Sequence, residues 1–491
     1  MLPPLRGSFL TNCITHSGVI KKGNLHMQIR HFFVPGLAIN SYMIFDEESM
    51  QGAIIDPTPQ IESYLSTARQ EKIEIIAIIE THVHADFVSG APELKAALQG
   101  KPLIYCSGMG GKEWIPYYAD RIIQDRNEVS LGKVRLQAYH TPGHTHEHLI
   151  WVAYDERRNP SVPSLVFTGD LLFVGSVGRP DLLGPQEEEL LIKQLYRSLF
   201  TTLQTLPEFI EIYPGHGAGS PCGKSIGKRD VSTLGYEMRC NPWLQPMDIS
   251  AWSQRLINDL QTAPAAPAYF KHMKHVNVHG LDLKQQANEK EIPMISTKED
   301  FLKVYSSCDI IDIRSGESFA KGHLKGAINI PFGEQFPLWC GAVLSEKKGI
   351  ILMVDSPVNV SPVVQSLRLI GKYRIAGVCI ANQWPWEQTQ ELTATLTTVT
   401  PEQVRSDLSK FFILDVRTPN EWNSGHIQEA HHMELTRVPQ NLDRLPKEAA
   451  IAVICRSGAR ASLIASLLAR EGFDNPVNIR GGMVAWNKMT G

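Results

Sequence analysis

Eight cysteines, at positions 13, 106, 222, 240, 308, 340, 379 and 455, are scattered along the chain with no CxxC pair. That spacing excludes a disulfide framework and leaves any functional cysteine to act as a single thiol. It suits a reducing compartment, and a cytoplasmic location is the expectation. Long apolar runs are also missing. None approaches the roughly 18 residues that a membrane span needs, and the short β-branched run Ile73 to Glu80, "IEIIAIIE", reads as a buried strand. The first 26 residues lack a continuous apolar core, so no signal peptide is expected. They are polar and aperiodic, and predict a disordered extension or a misplaced start. A surplus of one charge is absent as well: the formal net charge is −3. With no basic run carrying interleaved aromatics, neither a nucleic acid nor a membrane is an expected partner.

What is present is length. A chain of 491 residues is too long for one core and predicts about three domains. From Met27 to Asn241, strand-like runs such as "SYMIFD", "VRLQAYH" and "SLVFTGD" alternate with helix-like runs over Gln60 to Gln70 and Gln186 to Leu206. Many strands with few helices between them predict two sheets faced by helices. Residues 242–291, with "LQTAPAAPAYF", predict a connecting arm with helix near Ile249 to Leu260. The rest contains an internal repeat. "IIDIRSGESFAKGHLKGAINIP" (310–331) lies over "ILDVRTPNEWNSGHIQEAHHME" (413–434), and 351–371 over 451–472. The repeat predicts two small α/β domains, 292–388 and 395–491.

Three clusters in the first part carry metal-ligand chemistry. In "THVHADF" the residues His82, His84 and Asp86 alternate, so in an extended loop they point the same way. "YHTPGHTHEH" offers His140, His144, His146 and His148, "LVFTGD" ends in Asp170, and "IYPGHG" offers His216. Each follows a predicted strand, and ligands at several strand ends of one sheet edge share a centre. A lone histidine would more often be packed than ligating; the joint occurrence favours a metal.

"THVHAD", "TPGHT", "TGD" and "PGH", in that order, resemble the metallo-β-lactamase superfamily. The resemblance implies an αββα sandwich over 27–241 with metal at one sheet edge. Dinuclear members carry a histidine where this chain has Phe87, which puts a second metal in doubt. The sequence is more similar to persulfide dioxygenases of that superfamily. Carried over, they imply one Fe(II) per chain held by His82, His144 and Asp170, a two-histidine, one-carboxylate set suited to oxygen chemistry. His84, Asp86 and His216 then orient ligands or bond substrate. Arg179, in "VGRPD", is expected to hold the anionic tail of a thiol carrier or else to form a structural salt bridge. Cys222, in "SPCGKSIG", is placed to contact a sulfur substrate or to be an inert loop thiol.

"VICRSGARA" puts Cys455 at a strand end, ahead of the helix-like "ASLIASLLAR". The N–H groups of Arg456, Ser457, Gly458, Ala459 and Arg460, with two guanidinium groups, would favour a thiolate able to carry sulfane sulfur. This unit resembles a rhodanese, with structural roles expected for Asp415 and Arg417. The earlier copy has Asp355 where Cys455 falls and no loop arginines, and is expected to be an inactive rhodanese. The whole order resembles persulfide dioxygenase–rhodanese fusions. It implies oxidation of a low-molecular-weight persulfide (of glutathione, coenzyme A or bacillithiol) with O2 to sulfite and thiol. The last domain would interconvert persulfide, sulfite and thiosulfate, in sulfide detoxification. A homo-oligomer is compatible with the resemblance. The alternatives are a glyoxalase II-like metal-dependent thioester hydrolase and a sulfur carrier or sensor without turnover.

Overall fold

A computed structural model describes residues 26–281 and 292–490. Residues 1–25 of the expected N-terminal extension, and 282–291 of the expected arm, lie outside the described residues. Two compact units divide the chain at Ser253/Gln254, with the short loop His84–Val88 belonging to the second.

The first unit is two six-stranded sheets. One contains β1 (Met27–Val34), β2 (Ile39–Asp46), β3 (Gln51–Ile55), β4 (Glu74–Ile79), β5 (Leu103–Ser107) and β6 (Arg121–Ile123), in sequential order. The pairs β1/β2 and β2/β3 are antiparallel, and the rest are parallel. The other sheet contains β7 (Glu128–Leu131), β8 (Val134–His140), β9 (Leu149–Asp155) and β10 (Leu165–Gly169). A small ribbon follows, β11 (Leu172–Phe173) and β12 (Ser176–Val177). The second sheet is then completed by β13 (Glu211–Pro214) and β14 (Ser232–Thr233), in the order β14-β13-β10-β9-β8-β7.

Alternation along the strands builds the layers. Tyr42 and Ile44 face inward with Trp151, Leu136 and Phe167 of the second sheet. Met43 and Phe45, one residue out of phase, face helices Glu62–Glu71 and Ala91–Ala97 through Tyr64, Ala68, Ala91 and Leu94. β4 is buried on both faces, which is why its sequence is nearly continuous Ile and Ala. Helix Pro185–Arg197 buries Leu191, Ile192 and Leu195. The predicted helix 186–206 is interrupted: after Arg197 the coil widens over Ser198–Thr202 and ends in a tight turn over Leu203–Thr205. Ser198, where the coil widens, donates its hydroxyl to the carbonyl of Pro142. The result is an αββα sandwich.

The second unit holds helix Phe270–His279 of the arm and the two repeats. The first repeat has a parallel sheet in the order Ala327–Asn329, Cys308–Asp312, Gly349–Val354, Ile375–Ile380. The second has the same order in His431–His432, Phe412–Asp415, Ile451–Ile454, Val477–Ile479, with Thr398–Val399 added at the edge. The repeated Asp and Arg do the same job twice. Arg314 forks onto Asp312 and donates to the Gly322 carbonyl; Arg417 forks onto Asp415 and donates to the Gly425 carbonyl. Both arginines are nearly buried, so each pair pins the loop after the first strand.

Candidate metal centre and thiol loop

The metal centre is assembled at strand ends. His82 follows β4 by three residues, His144 follows β8 by four, and Asp170 directly follows β10. All three are buried, and their donor atoms lie within 4.8 Å of one another. His144 Nε2 is 3.3 Å, and His82 Nε2 3.9 Å, from Asp170 Oδ2. The two rings stand edge to face at 5.0 Å.

The ring nitrogens turned away from Asp170 fix the tautomers. His144 Nδ1 donates to the Arg179 carbonyl at 2.9 Å, and a carbonyl only accepts. Thr81 spends its hydroxyl proton on Asp56 Oδ2 at 2.8 Å, so it accepts from His82 Nδ1 at 2.9 Å. In the neutral rings both Nε2 atoms therefore carry lone pairs toward the Asp170 carboxylate. A cation between them is the arrangement that suits all three, and the donor set fits a divalent metal. The other Asp170 oxygen accepts from His216 Nδ1 at 2.8 Å.

Two glycines make this convergence sterically possible. Gly143 has φ +147, and a Cβ there would lie 2.4 Å from Leu195 Cα. Gly169 has φ +48, and a Cβ there would meet His148 Nε2 at 2.6 Å and Thr81 Oγ1 at 2.8 Å.

Of the other histidines in "YHTPGHTHEH", His148 accepts from the Asp170 backbone N–H at 3.0 Å. His140 bonds the His146 carbonyl, and His146 meets Glu187. His216 and Cys222 bring a second pair of donor atoms within 4.8 Å of each other. In the second unit, Phe87 is fully buried with its ring 4.1 Å from that of His84. The carbonyls of His84 and Phe87 accept from Asn277, and that of Asp86 from Tyr269, so the arm holds this loop by its backbone.

The Arg179 guanidinium forms a two-pronged pair with Asp181 at 2.9 and 2.7 Å and donates to the Pro221 carbonyl. An anionic carrier would have to compete with Asp181, and the residue's evident contribution is its carbonyl on His144. Asp56, Thr81 and Glu147 went unread in the sequence. Glu147 accepts from the Val83 N–H at 2.7 Å and steadies the His82 loop. Asp56 left one signal: like Asp170 it ends a strand, and it sits at φ +50, which aspartate tolerates better than most.

In the last repeat Cys455 follows strand Ile451–Ile454 and is buried. The Gly458 N–H donates to its sulfur at 3.0 Å. Gly458 has φ +104 and caps helix Ala459–Arg470. Arg456 and Ser457 are exposed at the loop's crest. Arg460 differs from expectation in its main partner: it forks onto Glu421, 2.7 Å on each prong. Burial pushes the Glu421 carboxyl up, but the Arg460 bond outweighs it and brings the group down to about 2. Asp355 occupies the equivalent strand end in the first repeat, exposed, with no guanidinium in its loop.

An αββα sandwich with a buried two-histidine, one-carboxylate cluster, followed by two small α/β units, defines a metal-dependent enzyme class joined to sulfur-handling domains. Residues 34–216 match the metallo-beta-lactamase superfamily model, and 297–375 and 400–489 match the rhodanese-like domain. A crystal structure of a metallo-beta-lactamase from Staphylococcus aureus is 32% identical; it covers 72% of this chain and 98% of its own, with a TM-score of 0.63. The mitochondrial persulfide dioxygenase ETHE1 of Homo sapiens is 29% identical over 44% of this chain and 75% of its own. A cytoplasmic hydroxyacylglutathione hydrolase of Arabidopsis thaliana is 32% identical over 38% of this chain and 66% of its own. The chain belongs to the metallo-β-lactamase superfamily, fused to two rhodanese-like domains, and is homologous to ETHE1-type persulfide dioxygenases and to rhodaneses.

The cytoplasmic expectation is corrected. The persulfide dioxygenases of cattle, mouse and human that match are mitochondrial by name. All seven described cysteines are free, and free thiols do not identify a compartment. Among the described residues no helix is long and apolar enough to cross a membrane.

Proposed function

We propose that the chain is a non-haem iron persulfide dioxygenase with one Fe(II), coupled to a rhodanese sulfurtransferase at Cys455, acting in sulfide detoxification. Residues 27–241 would carry the oxidation and 395–491 the sulfur transfer. The observation that supports it most is the buried convergence of His82, His144 and Asp170, with both histidines held as Nε2 lone-pair donors. Phe87 adds to it, since a hydrocarbon ring stands where a two-metal member has a ligand.

When bound, the iron would supply open coordination positions for O2 and persulfide sulfur. The overall reaction is RSSH + O2 + H2O to RSH + sulfite + 2 H+. The chain's part is positional. Arg179's carbonyl and the Thr81–Asp56 pair hold the two imidazoles with Nε2 aimed at Asp170, and His216 turns Asp170. At Cys455 the thiolate would attack the outer sulfur of thiosulfate. The S–S bond breaks, sulfite leaves with the electron pair, and Cys455 retains a persulfide; the reverse forms thiosulfate. The Gly458 N–H and the helix start stabilise the anionic sulfur.

Oxygen uptake on adding glutathione persulfide to the iron-loaded protein is the test. No uptake with the metal occupied would sink the proposal. A panel of glutathione, coenzyme A and bacillithiol persulfides then selects the carrier. The second reading, a thioester hydrolase, is favoured by the identity to a hydroxyacylglutathione hydrolase and by the His216–Cys222 donors. Metal analysis separates them: one iron per chain fits the oxygenase, two zincs the hydrolase.

A further inference from the structure

Helix Ala459–Arg470 starts directly behind the Cys455 sulfur and buries nearly its whole length. One stripe of that buried face is polar. Ser462 and Ser466 are 0% and 2% exposed, and both meet strand Ala327–Asn329 of the first repeat. Asn329 stands at the junction, fully buried. Its side-chain N–H groups donate to the carbonyls of Asp312 and Arg314 at 3.1 and 2.9 Å. Its Oδ1 accepts from the Ser462 hydroxyl at 2.6 Å, and its backbone N–H donates to Ser466 Oγ at 2.9 Å. With both amide protons committed to carbonyls, the side chain cannot flip.

The network continues to the sulfur. The Ser462 N–H donates to the Gly458 carbonyl at 2.9 Å, and the Gly458 N–H donates to Cys455 Sγ at 3.0 Å. The helix is packed close at this turn: a Cβ on Gly316 of the first repeat would lie 3.2 Å from Ser462 Cβ. The repeat shows what is added. His432 occupies the position of Asn329 in the last repeat, and its Nε2 bonds the Arg417 carbonyl at 2.8 Å as Asn329 bonds that of Arg314. Asn329 makes this contact and also reaches across to the thiol helix. Apolar packing alone leaves a helix free to shift by fractions of a turn, whereas a fully satisfied buried polar set specifies one register.

We infer that Asn329 is a positioning residue for the Cys455 thiol: the repeat that lacks a thiol fixes, through Ser462, the helix start that faces the sulfur of the other. The inference rests on reading Cys455 as the sulfur carrier.

The test is alkylation of Cys455 by iodoacetamide in the full chain, followed by peptide mass across a pH series. Cys340 and Cys379 do not compete, because burial pushes both thiols up, Cys379 to about 12. Asn329→Ala and Ser462→Ala should each slow alkylation about three- to tenfold, the worth of one hydrogen bond, and displace the pH profile. Because the two residues act in series, the double variant should be no slower than the slower single one. In thiosulfate-to-cyanide sulfur transfer, kcat should fall with KM for thiosulfate unchanged. Alanine suits a helix interior, so Ser462→Ala decides alone if Asn329→Ala does not fold. Unchanged alkylation with only a lower Tm, or effects that multiply in the double variant, would overturn the inference. Alkylation reads the thiol itself, so a wild-type chain without sulfur transfer would defeat the carrier reading and leave the positioning result standing.

Discussion

Thr81 shows how much one hydroxyl decides. It is placed by Asp56, which receives both its O–H and its N–H, and it in turn sets which nitrogen of His82 faces Asp170. Thr81→Val keeps the shape and removes the relay. Metal affinity should fall about 10- to 100-fold, the usual cost of losing a partner behind a ligand. Competition with a metallochromic chelator measures it, and Thr81→Ser should restore most of the affinity. The side chain of Arg179 stands differently. Its sequence context left open a carrier-binding cation and a structural salt bridge; in the fold the guanidinium pairs with Asp181 and the carbonyl meets His144.

Elements rather than residues place the His144 loop. The turn through Pro142 and Gly143 is held by the helix end, with Ser198 donating to Pro142 and Leu195 against Gly143. Gly143→Ala combines a left-handed φ with a backbone clash. It should cost roughly 1–3 kcal/mol from conformation alone, read as a lower urea midpoint with unchanged slope. In the last repeat the element that counts is the short helix Pro419–Asn423, which presents Glu421 to Arg460. The Glu421 carboxyl titrates at about 2 in the fold against an ordinary value of 4.5. The pair's stabilisation is therefore fully present above about pH 4.5 and is lost as pH falls through about 2. The Glu421 side chain is 28% exposed, so solvent screens the pair in part and Glu421→Gln should destabilise by only about 1–2 kcal/mol at pH 7. Denaturant titrations of variant and wild type should converge near pH 2.

At the scale of the molecule, the proposed function puts two chemistries in one chain. If they are separable, chelation should abolish oxygen uptake and leave thiosulfate-to-cyanide transfer intact. Cys455→Ser should do the reverse. Assaying both activities on both preparations checks this, and loss of the two together in either case would refute the division of labour.

The sequence by itself carried the order of domains, the internal repeat and the strand-end chemistry, because these are local. The alternation of Tyr42 and Ile44 against Met43 and Phe45 is written in consecutive letters, and so is a histidine a few residues past a strand. The helix Phe270–His279 was not legible; its arm has no clear apolar period, and packing in the second unit decides it. Nor did the run 186–206 reveal its interruption, which begins at Ser198, bonded to Pro142 56 residues away. The same reason explains the hidden half of the sites. Thr81 finds Asp56 across 25 residues, His144 finds Arg179 across 35, His216 finds Asp170 across 46, and Ser462 finds Asn329 across 133. Composition and spacing name the candidate groups for holding a metal or carrying sulfur. Only the folded chain decides which nitrogen faces the carboxylate, which arginine is already paired, and what stands behind the thiol helix, since those choices are hydrogen bonds between distant segments.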